Sequence, residues 1–171
     1  MIPFTITDDD IQRAELHLLT RLGATHAEQT NFMQDNIIGA LGEIAVYNWI
    51  NQWSPCYFSD RDCKYDLLLG DARTVEVKTM RTSTTPQPHY VCAVFGKQWE
   101  HKQGSSVWIF VHLDKSLTRG WIVASCEPFQ RDLFTFHAQG ELMASGKPYR
   151  LDTWNCPIST LDDPARMVIH A

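Results

Sequence analysis

The chain has 171 residues, 44% of them hydrophobic and 20% charged, an ordinary globular composition long enough for one domain with a real core. Its 20 acidic residues outnumber 15 basic ones for a formal net charge of −5, which argues against a protein coated with cations that grips nucleic acid indiscriminately. No apolar run approaches the roughly 20 residues of a membrane span. The start, Met1-Ile2-Pro3-Phe4-Thr5-Ile6-Thr7-Asp8, has neither the basic beginning nor the apolar core of a signal peptide, so a cytoplasmic protein is expected.

A first helix is predicted from Thr7 to Gly23. Thr7 suits the N-cap, Asp8-Asp9-Asp10 suits the positive helix start, and Ile11, Ala14, Leu18 and Leu22 form the apolar stripe. A second helix runs from about Asn31 to Gln52 and is apolar around much of its girth, with Ile38, Leu41, Ala45 and Trp49 in one row. Gly39 and Gly42 weaken its propensity, which points to close approach of another backbone. Glu43 is the one formally charged residue from Ile37 to Gln52. A buried carboxylate needs a partner: a metal, the water it activates, or an Arg or Lys.

Strands are expected around Cys56 to Phe58, at Tyr65–Leu69 and Thr74–Thr79 as a hairpin, and at Tyr90–Phe95, Val107–Leu113 and Gly120–Ala124. Val107 to Leu113 is nearly continuous apolar sequence, as for a central strand covered on both faces; His112 within it is read as a core or edge histidine without a role. From Glu127 the pattern is less regular, with a short helix or turn near Pro128 to Phe136 and a late edge strand near Tyr149–Trp154. The five cysteines, at 56, 63, 92, 126 and 156, contain no CxxC, so neither a disulfide framework nor a structural zinc site is expected.

The chemistry concentrates in the hairpin. Strand side chains alternate faces, so Glu76 and Lys78 share one face and Val75 and Val77 point to the other. Asp66 joins the charged face if the loop is Gly70-Asp71-Ala72, which sets Leu69 against Arg73 and Asp66 against Glu76. A two-residue loop puts Asp66 on the other face unless a bulge restores it. Two carboxylates at cross-strand distance suit a hard divalent cation, and an adjacent lysine can orient or deprotonate a water. These are sufficient parts for phosphodiester hydrolysis. An exposed Glu–Lys hairpin face is the plainer alternative.

Asp66, nine intervening residues and then Glu76-Val77-Lys78 resemble the signature of the PD-(D/E)xK nuclease superfamily, with Tyr65 where the optional Pro would stand. Glu43, in Gly39-Ala40-Leu41-Gly42-Glu43-Ile44-Ala45, matches in order the helix Glu that many members carry. The resemblance spans roughly Asn31 to Asp114. It implies a restriction-endonuclease-like α/β fold and a Mg²⁺-dependent endonuclease acting on DNA, with Mn²⁺ able to substitute. By the same resemblance Asp66, Glu76 and the Val77 carbonyl bind metal, Lys78 activates the attacking water, and Glu43 binds a second ion or orients that water.

The polar loop after the second hairpin strand offers Arg81, Thr82 and Ser83 as nucleic-acid contacts, and the segment Gly96 to Gly104 offers Lys97, Gln98 and Lys102. The fold expected is one α/β domain over 1–171, its core at 31–114, with a mixed central sheet of about four to five strands flanked by helices. The partner expected is DNA, with a homo-oligomer allowed by analogy with relatives. A non-catalytic nucleic-acid-binding module on the same scaffold, or a structural protein of a phage or mobile element, is the alternative.

Overall fold

In the computed structural model the described residues are 1–22, 30–59, 65–96, 98, 104–126 and 130–168. In chain order they form β1 (Ile2–Thr5), α1 (Asp8–Leu22), α2 (Thr30–Ile50), β2 (Cys56–Phe58), β3 (Leu67–Leu69), β4 (Thr74–Thr82), β5 (Val91–Phe95), β6 (Val107–Asp114), β7 (Arg119–Cys126), β8 (Thr135–His137), β9 (Thr153–Pro157) and α3 (Ala165–Val168). Single 3₁₀ turns lie at Arg131–Leu133 and Ile158–Thr160.

The fold is α/β. A six-stranded sheet runs in the order β1-β7-β6-β4-β3-β2, and a second, three-stranded sheet in the order β5-β9-β8. The larger sheet is mixed: β4 and β6 are parallel, and the other neighbours are antiparallel. The Thr7 N-cap forms as a reciprocal box. Its hydroxyl accepts the Asp10 amide at 3.2 Å, and Asp10 Oδ2 accepts the Thr7 amide at 3.0 Å. The Asp run therefore starts a helix.

The two faces of the large sheet bury different things. Under α2, Leu67, Leu69, Val75, Val77, Val107, Ile109, Val111 and Leu113 meet Ile38, Leu41 and Ile44. On the other face Trp108, Phe110, Trp121, Val123 and Cys126 meet Cys92, Val94 and Cys156 of the small sheet, together with Phe134. All eight residues of β6 are buried, as its apolar run requires of a strand covered on both sides.

Three sequence expectations change. The late strand lies at Thr153–Pro157 and is the middle strand of the small sheet, because β5 and β8 pair with its two edges. β5 leaves the central sheet to join it. The N-terminal strand β1 was not anticipated; it pairs Ile2 to Thr5 with Ile122 to Arg119 and raises the large sheet to six strands. Cys56, Cys92, Cys126 and Cys156 are buried free thiols, and Cys63 lies outside the described residues. Burial pushes the Cys56 thiol up to about 11, so it is protonated at neutral pH and a poor metal ligand.

Gly42 is where α2 presses onto the sheet: a Cβ there would overlap the Thr79 side chain on β4. Gly39, three residues earlier, has open space around its Cβ position. Gly42→Ala is therefore expected to destabilise the protein by about 1–3 kcal/mol through overpacking. Gly39→Ala should be neutral or stabilise by up to about 1 kcal/mol through helix propensity alone. Urea unfolding of both variants checks the pair.

Candidate functional site

The hairpin adopts the three-residue loop. Leu67 pairs with Val75 and Leu68 with Thr74, and the Leu69 amide donates to the Arg73 carbonyl at 2.9 Å. Ala72 closes the loop with a positive φ of 69°. Asp71 steadies the turn: its carboxylate accepts the Arg73 amide at 3.1 Å and Arg73 Nε at 2.7 Å. These bonds hold the Asp71 carboxyl below its ordinary value, the Arg73 amide contributing most.

This register carries Asp66 to the level of Glu76, with a refinement. The regular ladder stops at Leu67; the Asp66 amide donates to the Val75 carbonyl at 2.9 Å, and Asp66 Oδ2 accepts the Val77 amide at 2.8 Å. The Asp66 carboxylate is thus held against the β4 backbone beside Glu76. A strand residue directs its amide and its carbonyl to the same edge, so the Val77 carbonyl lies on this side too.

Glu76 and Lys78 project from the face opposite α2. Each sits beside an aromatic residue of β6 in the parallel register, Glu76 by Trp108 and Lys78 by Phe110. Lys78 Nζ donates to Glu76 Oε1 at 2.6 Å and stands 5.5 Å from the centroid of the Trp108 ring. Asp66 is 6% exposed and Glu76 1%. Carboxylates this deep are tolerable only when bonded, and the Val77 amide and Lys78 ammonium supply bonds to each in turn.

Glu43 stands on α2, and its Oε2 lies 2.9 Å from His17 Nε2 of α1. Both side chains are mostly buried. His17 packs on Phe58 at 4.6 Å between ring centroids, and Phe58 stacks on Tyr47 at 4.5 Å. One partner of Glu43 is thus a histidine, a residue type outside the metal, metal-bound water, Arg or Lys that the sequence suggests. Sequence reasoning missed His17, although it follows Ala14 by three places and so borders the buried stripe of α1. Among the described residues no three His, Cys, Asp or Glu side chains gather closely enough to hold a metal ion. The hairpin brings Asp66, Glu76, Val77 and Lys78 together, while Glu43 is contributed by α2 and bonds His17.

The nucleic-acid candidates divide. Ser83 and Gln98 are exposed. Arg81 is exposed and donates to the Lys115 carbonyl at 3.0 Å. Thr82 is buried, and its hydroxyl donates to the Thr84 carbonyl at 2.8 Å, so it serves the loop and not a ligand. Lys97 and Lys102 lie outside the described residues. No protein-family model matches the chain, and no curated protein matches it significantly.

Two predictions follow from the burial of charge here. Lys78→Ala leaves Glu76 buried without its ammonium and should destabilise the fold by about 3 kcal/mol. The double variant Glu76→Gln/Lys78→Met should recover much of that loss, as equilibrium denaturation would show. The second concerns His112, on the same face as Lys78 and 3% exposed. Burial lowers its pKa from 6.5 to about 4, opposed in part by a loose contact with the Val91 backbone. The unfolded chain then binds the proton more readily, so stability is full above about pH 6.5 and falls toward pH 4, by about 3 kcal/mol in all. Replacing it in His112→Leu should flatten the pH dependence of the urea midpoint across that window.

Proposed function

We propose that this protein is a Mg²⁺-dependent nuclease acting on DNA, with its site on the β3–β4 hairpin. The observation that carries this is the burial of Asp66 and Glu76 side by side at one end of the hairpin, with Lys78 on Glu76. Structural hairpins seldom sink two carboxylates and an amine among buried aliphatic and aromatic side chains. Support also comes from the order of elements. A helix is followed by an antiparallel meander, β2-β3-β4, and then by β6 parallel to β4. That order fits the restriction-endonuclease-like fold that the sequence resemblance implies.

The donor set fits a hard divalent cation, which one or two carboxylates hold together with carbonyl oxygen, water and substrate phosphate. Asp66 and Glu76, with the Val77 carbonyl on the same strand edge, would hold it. When bound, Mg²⁺ supplies charge neutralisation at the scissile phosphate and a more acidic water. The protein's own residues do the rest. The Val77 amide fixes Asp66 Oδ2, so the carboxylate is oriented before any ligand arrives. The Lys78 ammonium, held over Trp108, is the donor placed to orient the attacking water and to stabilise charge developing on the phosphate. Glu43, bonded to His17, would bind a second ion or orient the metal-bound water, the role that the resemblance implies.

The test uses labelled single-stranded, duplex, flap and four-way-junction DNA with Mg²⁺, Mn²⁺ or EDTA. Wild type should cut at least one substrate with metal and none with EDTA. Asp66→Asn keeps an acceptor for the Val77 amide and should lose cleavage by several orders of magnitude while remaining folded; Lys78→Ala should also be inactive. Full cleavage by Asp66→Asn would sink the site. Neither cleavage nor a metal-dependent rise in melting temperature would make the hairpin a structural ion pair, since a metal that binds only the folded state must stabilise it.

A further inference from the structure

The inner face of the small sheet runs out from under its cover. Across its three strands one cross-strand row reads Val94, Trp154, Phe136. Val94 is fully buried, Trp154 is half-buried, and Phe136 is 46% exposed. The large sheet therefore covers β5 and leaves β8 overhanging. At the overhang Phe136 and Trp154 pack with ring centroids 5.0 Å apart, and the Arg131 guanidinium lies 4.4 Å over the Trp154 ring. Arg131 is exposed, and among the described residues it makes no ion pair.

We infer that Arg131 and Phe136, backed by Trp154, form a stacking platform for the bases of a single-stranded DNA segment. Three observations select this occupant. The exposed surface is aromatic rather than aliphatic, and every base has a π-face to offer it. Its charge is the Arg131 guanidinium, which among the described residues makes no ion pair and which complements a phosphate, in a chain whose net charge is −5. The platform is also continuous with the hairpin site through one packed cluster. Lys78 stands over Trp108, its neighbour Phe110 meets Phe134 at 6.1 Å between ring centroids, and Phe134 leads directly into β8. A neighbouring half-buried pair, His137 stacked on Tyr149, differs in kind, because Glu141 lies 2.7 Å from His137 and would repel phosphate.

The inference rests on the nucleic-acid reading of the site, but its test needs no cleavage. Binding of a fluorescent single-stranded oligonucleotide to the full chain is measured by anisotropy in EDTA. Wild type should bind. Phe136→Ala and Arg131→Ala should each weaken binding about tenfold, and Phe136→Trp should retain it, since stacking tolerates any aromatic ring. Leu142→Ala, an exposed apolar residue outside the platform, should leave affinity unchanged. Wild-type affinity in both Phe136→Ala and Arg131→Ala, or no binding of single strands by wild type, would overturn the platform. If wild type nevertheless cuts DNA with metal, the hairpin site stands without it.

Discussion

Strand β4 is buried on both faces, and one of those faces carries an acid and an amine. Its two neighbours in the large sheet and the long helix are registered against that strand. β3 pairs with one edge of it and β6 with the other, while α2 lies across its Val75–Val77 face. A slip of one residue in any of these pairings would drive Glu76 and Lys78 into the helix and expel Val75 and Val77. The register is therefore held from several sides. The turn at Asp71-Ala72, the Asp66 bond to the Val77 amide and the contact of Gly42 with Thr79 all require the same alignment. Local turn chemistry, strand alternation and helix packing agree at one place, which is how a sequence specifies a single structure.

Much of this was legible because it is local. The apolar period of α1, the cap at Thr7 and the continuous run of β6 are each written within a few consecutive residues, whereas the β3–β4 loop stayed open between two and three residues until the Leu69–Arg73 pairing decided it. The alternation Val75-Glu76-Val77-Lys78 alone fixes which side chains share a face, and the structure keeps that assignment. The contact that Gly42 makes was readable in kind, since a helix gives up propensity for close approach. Its partner, Thr79, was not.

What escaped the sequence depends on which distant segments meet. Ile2-Pro3-Phe4-Thr5 has little strand signal of its own and becomes β1 only because β7 offers a free edge. β5 looks like another strand of the central sheet, and nothing in Val91 to Phe95 says that its partner is Thr153–Pro157. The same holds for Glu43. As a lone charge in an apolar helix it demanded a counterpart, and chemistry narrowed the choice to a cation or a metal. His17, on another helix, could be identified only once α1 and α2 were packed together. The demand was legible; the identity of the partner was tertiary information.

The charge of the molecule gives the two proposed nucleic-acid features a common logic. Proteins that hold DNA through many phosphates spread unpaired Lys and Arg over a surface. Among the described residues, several cations are committed to the protein itself: Lys78 is bonded to Glu76, Arg73 to Asp71 and Arg81 to the Lys115 carbonyl, and Arg119 stands near Asp114. A strand engaged by such a protein must be held by contacts that a net acidic surface does not weaken, and stacking on aromatic rings is the one that is blind to charge. An aromatic overhang capped by the Arg131 guanidinium, joined by packed rings to a buried Asp–Glu–Lys set, is what that requirement would produce.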